Sequence, residues 1–188
     1  MDARQFFDTW LPAAPARLLE VGCGSGELAL SLVDQGYAVT AVDPEAPAGP
    51  IFRRTRIEDF EATVSFDAAL ASLSLHHVSD LAVALDKVAD LLAPGGRVVI
   101  DDFAWEQLDE AAAGSIGLGF GEWNAEHEHL HRSDAMLVEL DNRFSRLAFS
   151  WEPFLFRESR RAIDEDAERR LIAEGRLPAI GFRYVGER

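Results

Sequence analysis

Leu18-Leu19-Glu20-Val21-Gly22-Cys23-Gly24-Ser25-Gly26 runs from an apolar stretch through an acid into three glycines at alternate positions. The apolar run predicts a buried strand over residues 17–21, and the glycines predict a tight turn that opens a helix over residues 27–35. Glycine lets the backbone adopt positive φ and lets a ligand come close. The helix start behind it offers backbone N–H groups with no partner inside the helix. A strand, such a turn and a helix in this order form a nucleotide-cofactor loop.

The details of the loop choose among cofactors. The spacing is Gly-x-Gly-x-Gly rather than the Gly-x-Gly-x-x-Gly of dinucleotide binders, which argues against a nicotinamide oxidoreductase. The Gly-Lys-Ser/Thr of a phosphate-binding loop is also missing. Glu20 stands two residues before the first glycine, and a carboxylate there suits a ligand bearing an ammonium and a sulfonium better than one bearing phosphates. At Glu20-Val21-Gly22-Cys23-Gly24-Ser25-Gly26 the chain resembles the class I S-adenosylmethionine-dependent methyltransferases, whose first motif it matches. The resemblance implies a Rossmann-like α/β fold with a mostly parallel seven-stranded sheet, the last strand antiparallel. It also implies that Glu20, Gly22, Cys23, Gly24 and Gly26 bind S-adenosylmethionine, leaving S-adenosylhomocysteine as product.

Strands and helices alternate over the first 102 residues, as a parallel α/β sheet requires. Strands are expected near residues 37–42, 51–55, 66–72 and 97–100, with a turn at Pro94-Gly95-Gly96 and a helix over 80–92. Phe6, Phe7, Trp10 and Leu11 fall at helical spacing, ended by Pro12 and Pro15. Pro44-Glu45-Ala46-Pro47-Ala48-Gly49-Pro50 cannot form a regular helix, so this crossover is a loop where the family has a helix. Beyond Asp102 the reading is a helix over 103–113, a glycine-rich loop over 114–121, a helix over 134–140 capped by Ser133, a strand over 147–156, a helix over 164–174 and a last strand over 180–185. One domain over residues 1–188 is expected, with 1–102 the cofactor-binding half and 103–188 the substrate side.

Asp43 lies 21 positions after Gly22, at the end of the second strand, where an acid can accept both hydroxyls of a ribose. Pro44 follows it. By the resemblance, Ile57 flanks the adenine ring and Glu58 or Asp59 meets its amino group, although Thr55-Arg56 replaces the family's usual small-acid pair. Ser72 and Leu73 end the fourth strand, where the backbone passes the methionine part of the cofactor. Leu75-His76-His77-Val78 resembles the "LHH" sequence of a small-molecule branch of the family.

The remaining histidines are His127, His129 and His131. At alternate positions they would share one face of an extended strand and could ligate a metal, or they could lie in a solvated loop with one of them contacting substrate. No fourth ligand stands out, and no metal is expected. His77 and then His127 are the candidate general bases, because imidazole titrates near neutral pH. Trp105, Phe120 and Trp123 are expected to line the substrate side. Arg157, Arg160 and Arg161 are expected to pair with the acids Glu158, Asp164, Glu165 and Asp166 on the surface, the alternative being an anionic group of the substrate.

The chain has 33 acids against 18 bases, a net charge of −15 that repels phosphate backbones and anionic lipid surfaces. The partner expected is a small-molecule methyl acceptor, without nucleic acid or membrane, and a homodimer is left open. One cysteine, no secretory segment and no long apolar run predict a cytoplasmic protein. The function expected is methyl transfer to an oxygen, nitrogen or carbon of a small molecule. A catalytically silent S-adenosylmethionine-binding or partner-binding module of the same fold is the alternative.

Overall fold

The computed structural model describes residues 3–158 and 163–188. Its strands are β1 (Arg17–Val21), β2 (Ala38–Asp43), β3 (Phe52–Arg54), β4 (Phe66–Ser72), β5 (Leu92–Phe103), β6 (Ser145–Glu152) and β7 (Gly181–Glu187). Its helices are α1 (Ala3–Trp10), α2 (Glu27–Asp34), α3 (Leu81–Leu91), α4 (Glu110–Ser115), α5 (Phe120–His127), α6 (Ser133–Arg143) and α7 (Glu165–Ala173). The strands form one sheet in the order β3-β2-β1-β4-β5-β7-β6. β3, β2, β1, β4 and β5 pair in parallel, while β7 runs antiparallel to both β5 and β6. The chain winds outward in opposite directions from β1, so a crevice opens beyond the carboxyl ends of β1 and β4, where open α/β sheets take their ligands.

Alternation along the strands divides the core. Leu18, Leu70, Val99 and Val185 face α1 and α2, whose Phe6, Phe7, Ala29 and Leu32 cover them. Leu19, Ala69, Val98, Ile100, Phe182 and Tyr184 face α3 and α6. The apolar spacing of α3 explains why it lies there, since Leu81, Ala84, Leu85, Val88 and Leu91 share its inner side. A third cluster, containing Phe103, Trp105, Leu108, Trp123, Phe154 and Ile180, gathers past the carboxyl end of β5. Among the described residues no helix is long and apolar enough to cross a membrane.

The proline-rich crossover after β2 forms no helix, as expected, and is held from within. Arg54 donates to the Ala46 carbonyl through Nε at 3.0 Å and Nη2 at 2.8 Å. Several other expectations are corrected. Residues 92–103 form one strand, and the Pro94-Gly95-Gly96 bend is a bulge inside it, because Phe66 pairs with Leu92 while Ala68 pairs with Arg97. The helix expected over 103–113 is broken into a 3-10 turn, Trp105–Gln107, and α4, because Asp109 caps a new start by accepting from Ala112 N at 2.7 Å. Gly114 lies inside α4 and α5 begins at Phe120, so the expected glycine-rich loop shrinks to residues 116–119. Ser133 opens α6 as its first residue rather than capping it; its hydroxyl donates instead to Glu106 Oε1 at 2.5 Å. The strand expected over 147–156 is β6, and Leu155–Arg157 forms a 3-10 turn. Arg157 pairs with buried Asp101 at 2.7 Å rather than with the following acids, while Arg160 and Arg161 lie outside the described residues.

Asp101 also accepts from Arg183 Nε at 3.0 Å, so one buried carboxylate joins β5, β7 and the turn after β6. That turn has a second anchor. Glu168 of α7, fully buried, accepts from Phe154 N at 2.7 Å and Leu155 N at 3.0 Å on one oxygen and from Phe156 N at 2.9 Å on the other. Replacing Glu168 with alanine leaves two buried amides and one part-buried amide without an acceptor, so unfolding free energy should drop by about 3 kcal/mol or more in chemical denaturation. Glu168→Gln, which keeps one acceptor oxygen, should lose roughly half as much. An alanine variant as stable as the parent chain contradicts this anchor.

Candidate active site

The loop after β1 takes its shape from two contacts. Gly22 (φ +72°) and Cys23 donate from their backbone nitrogens to the Val42 carbonyl at 2.8 and 3.3 Å, folding the loop over the end of β2. A Cβ on Gly22 would lie 2.3 Å from Ser74 Cβ, so only glycine fits there, and Ser74 Oγ donates to the Val21 carbonyl at 2.6 Å beside it. Gly26 is closed off in the same way by the Phe52 ring, 2.5 Å from where its Cβ would be. Gly24 differs: nothing lies within 4 Å of its missing side chain, and it faces a cleft. The Cys23 side chain turns into the core below α2, and burial pushes its thiol up to about 12. Cys23 is therefore neutral, and only its backbone serves the loop.

The cleft has a volume of about 520 Å³, the size of a nucleoside-type ligand site. It brings together Gly22, Gly24, Asp43, Pro44, Ile57, Glu58, Leu73 and His77 of the sequence candidates. Glu20, Cys23, Gly26, Ser72 and His127 do not line it. Asp43 is half-buried at the end of β2, with Oδ2 accepting from Gly24 N at 3.0 Å and Oδ1 from Glu45 N at 2.7 Å. Those two bonds set the plane of the carboxylate and leave each oxygen acceptor capacity for a hydroxyl.

Glu20 is 3% exposed, and its Oε2 has no hydrogen-bond partner among the described residues. Burial, with the charge of Asp43 second, pushes its carboxyl up to about 7. A buried carboxylate oxygen without a donor is costly, and a ligand ammonium would relieve that cost. The donor set fits S-adenosylmethionine in this respect, with Glu20 behind the glycine bend, Gly24 open and Asp43 across from it.

Ile57, buried, and Glu58 sit on a 3-10 turn, Ile57–Asp59, at the far wall. Glu58 Oε1 accepts from Ser79 N at 3.0 Å and Asp80 N at 3.1 Å, so this acid also ties the turn to the start of α3. Asp59 is exposed and outside the lining, which leaves Glu58 as the acid on this wall. Leu73 has φ +52°, a strained conformation for a branched side chain that costs about 1–3 kcal/mol. It is held there by its N–H on the Asp101 carbonyl at 2.8 Å. Ser72 is paired inside the sheet with Asp101, one position behind the cleft. The sequence reading missed Ser74, whose role shows only once β4 meets β1. It also missed Asp102 as a partner of His76.

His77 stands exposed at the rim, on the 3-10 turn Leu75–His77. Its pKa is lowered by desolvation first and then by His76; Asp102 opposes the shift, and His129 and His127 add to it. His127, by contrast, ends α5 and is buried. Its Nδ1–H donates to the Trp123 carbonyl at 2.7 Å, and its ring lies 4.0 Å from Trp123 and 5.5 Å from Phe103. His131 donates from its backbone to the His76 carbonyl at 3.1 Å and from Nε2 to the Val78 carbonyl at 2.8 Å. The three alternate histidines therefore do not share a strand face, since one ends a helix and another clasps the rim turn. Among the described residues no group of three or more His, Cys, Asp or Glu side chains could hold a metal ion. Behind the rim Phe103 stacks on Phe154 at 4.2 Å, and Trp123 Nε1 donates to the Trp105 carbonyl at 3.0 Å, making the aromatic floor of the second half.

Comparison with known proteins agrees with this geometry. A family described as "Methyltransferase domain" matches residues 1–146. An uncharacterized methyltransferase of Mycobacterium bovis is 29% identical over 139 residues, 62% of this chain and 69% of that protein. A ubiquinone biosynthesis O-methyltransferase of Xylella fastidiosa is 37% identical over 105 residues, 48% of this chain and 43% of that protein. The crystal structure of an S-adenosylmethionine dependent methyltransferase from Mesorhizobium loti has the same fold, with a TM-score of 0.68 over 98% of this chain and 96% of the other at 18% identity. With the glycine bend, the acid at the end of β2 and the seven-stranded sheet in place, this chain belongs to the class I S-adenosylmethionine-dependent methyltransferases.

Proposed function

We propose that the enzyme methylates an oxygen, nitrogen or carbon nucleophile of a small molecule, with residues 1–102 holding the cofactor and residues 103–188 the acceptor. The observation that carries this reading is the cleft itself. Gly24 and Asp43 face it, Glu20 waits behind it with an unpaired oxygen, and it opens at His77 beside the aromatic half. In this reading Asp43 accepts the ribose hydroxyls, with Pro44 beside it. Ile57 covers one face of the adenine and Glu58 Oε2 meets its amino group. The Gly22–Gly26 bend, Ser72, Leu73 and Glu20 border the amino-acid end.

S-adenosylmethionine supplies an already activated methyl group on a sulfonium, so the protein's main task is alignment. Ser74 and Gly22 fix the distance between the ends of β1 and β4. His77 accepts the proton that a hydroxyl or a protonated amine must lose, and its lowered pKa keeps it neutral and available near pH 7. His127 is the second candidate, since its Nδ1–H is fixed by Trp123 and its Nε2 is left as the acceptor. The net charge of −15 favours a small molecule over nucleic acid or an anionic membrane.

A silent binding module of the same fold is the second reading. It draws on α1, which packs under the sheet and contributes nothing to the cleft, so α1 is no cover for it. Supplying the cofactor with panels of phenols, amines and activated carbon acids separates the two, since only an enzyme forms S-adenosylhomocysteine with acceptor-dependent rate.

Two binding predictions follow from the cleft. In calorimetry S-adenosylhomocysteine should bind the parent chain with micromolar affinity, and Asp43→Ala should weaken it about 100-fold, the equivalent of two hydrogen bonds to a charged group. No binding to the parent chain, or equal binding to both, contradicts the assignment. Ionised Glu20 is the form that would pair with an ammonium, so affinity should rise from pH 6 to pH 8 with proton release, and Glu20→Gln should flatten that slope. In the ligand-free protein the sign reverses. The Glu20 carboxyl titrates at about 7 folded against 4.5 unfolded, so its contribution to stability is fully present below 4.5 and is lost as pH rises through 7. A pH-independent affinity in the parent chain contradicts the role given to Glu20.

A further inference from the structure

The turn that carries His77 is built on a pair of buried residues that neither the cofactor nor the sheet requires. Asp102, 1% exposed at the end of β5, accepts three donors: Leu75 N at 3.0 Å, Phe103 N at 2.8 Å and His76 Nδ1 at 2.5 Å. Leu75 and His76 are the first two residues of the rim turn, and His77 is the third. One carboxylate therefore sets both the path of this turn and the tautomer of His76, whose Nδ1 must carry the proton. The His76 ring is clamped between Phe103, edge-on at 4.8 Å, and His77 at 4.2 Å. From the other side His131 grips the same turn at the His76 and Val78 carbonyls, bringing residues 127–131 against it.

We infer that His76 and Asp102 are positioning residues for His77, fixing its turn at the rim of the cleft and holding a second imidazole against its ring. The inference rests on the reading of His77 as the group that takes the acceptor's proton. Its physical content is a coupled pair. Two imidazoles 4.2 Å apart cannot both be protonated without strong repulsion, and only His76 has a carboxylate on its ring. The His76 ring, held by Asp102, therefore opposes a second charge beside it, and His77 keeps its lone pair. The other groups acting on His77 are His127 and His129 from the second half, which also oppose its protonation, and Asp102 itself, which favours it. A base in this setting works at a lower pH than a solitary surface histidine. His76 is thus no candidate base and no metal ligand. Its value lies in what it does to its neighbour.

The test uses the whole chain and needs no acceptor. Histidine side-chain NMR on the ligand-free parent protein should show His76 protonated at Nδ1, with a downfield proton from the short bond to Asp102. In His76→Asn, whose amide can still donate to Asp102, the titration midpoint of His77 should rise, while S-adenosylhomocysteine affinity stays within about twofold of the parent, since His76 does not line the cleft. An unchanged His77 midpoint in a folded His76→Asn protein overturns the inference, as does a parent His76 protonated only at Nε2. Both results leave the cofactor reading standing. A parent chain that binds no S-adenosylhomocysteine would instead strike at that reading.

Discussion

The contact between Gly22 and Ser74 governs this site. β1 and β4 are adjacent and parallel, and the crevice between their ends exists because the chain leaves one toward α2 and the other toward the rim turn. Ser74 occupies the space that any side chain at position 22 would need, and its hydroxyl closes onto the Val21 carbonyl at 2.6 Å. The two strand ends are thereby locked at one separation. The Val42 carbonyl, taking both Gly22 N and Cys23 N, does the same on the β2 side. Asp43, Gly24 and Leu73 inherit their positions from this junction. Leu73 carries the cost in backbone strain and is restrained by Asp101, which is itself fixed by Arg157 and Arg183. Rigidity at the mouth of the cleft is thus built from carbonyls and buried carboxylates rather than from apolar packing alone.

The second half meets this frame through histidines and aromatics. His131 clasps the rim turn, His127 lies against Trp123 and Phe103, and Phe103 continues β5 directly from Asp102. The boundary near residue 102 is therefore a place where the two halves share hydrogen bonds, so the cleft and the aromatic floor are mechanically joined. An acceptor held on the aromatic side would lie against groups whose position is set from the cofactor side. Such an arrangement suits a reaction in which alignment supplies most of the rate.

Much of this was legible in the residues. The glycine bend, Asp43 and the alternation of apolar strands and amphipathic helices are local patterns, and they foretold β1, β2, β4, α2, α3 and the parallel sheet closely. The helix-free crossover after β2 was readable from its prolines, because proline forbids the alternative outright. Where the reading failed, a distant partner had decided the local structure. Ser133 looks like a helix cap until Glu106 takes its hydroxyl. Residues 103–113 look helical until Asp109 restarts the chain. The alternating histidines look like a strand face, yet α5 absorbs the first and the rim turn takes the last. His76 and Asp102 stand 26 positions apart, and nothing in the sequence joins them. Cys23 and Glu20 lie at the glycine bend, but periodicity cannot say that neither side chain lines the cleft itself, Cys23 turning into the core and Glu20 standing buried behind the bend.

The central claim is that the junction of β1, β2 and β4 is shaped for an adenosyl amino acid with a cationic centre. A crystal structure of the protein with S-adenosylhomocysteine addresses it most directly. The account predicts the ribose hydroxyls on Asp43, the amino group toward Glu20 beside the Gly22–Gly24 bend, and the sulfur facing the His77 rim. A ligand seated elsewhere, or a cleft that stays empty while a phosphate compound fills it, would contradict the account.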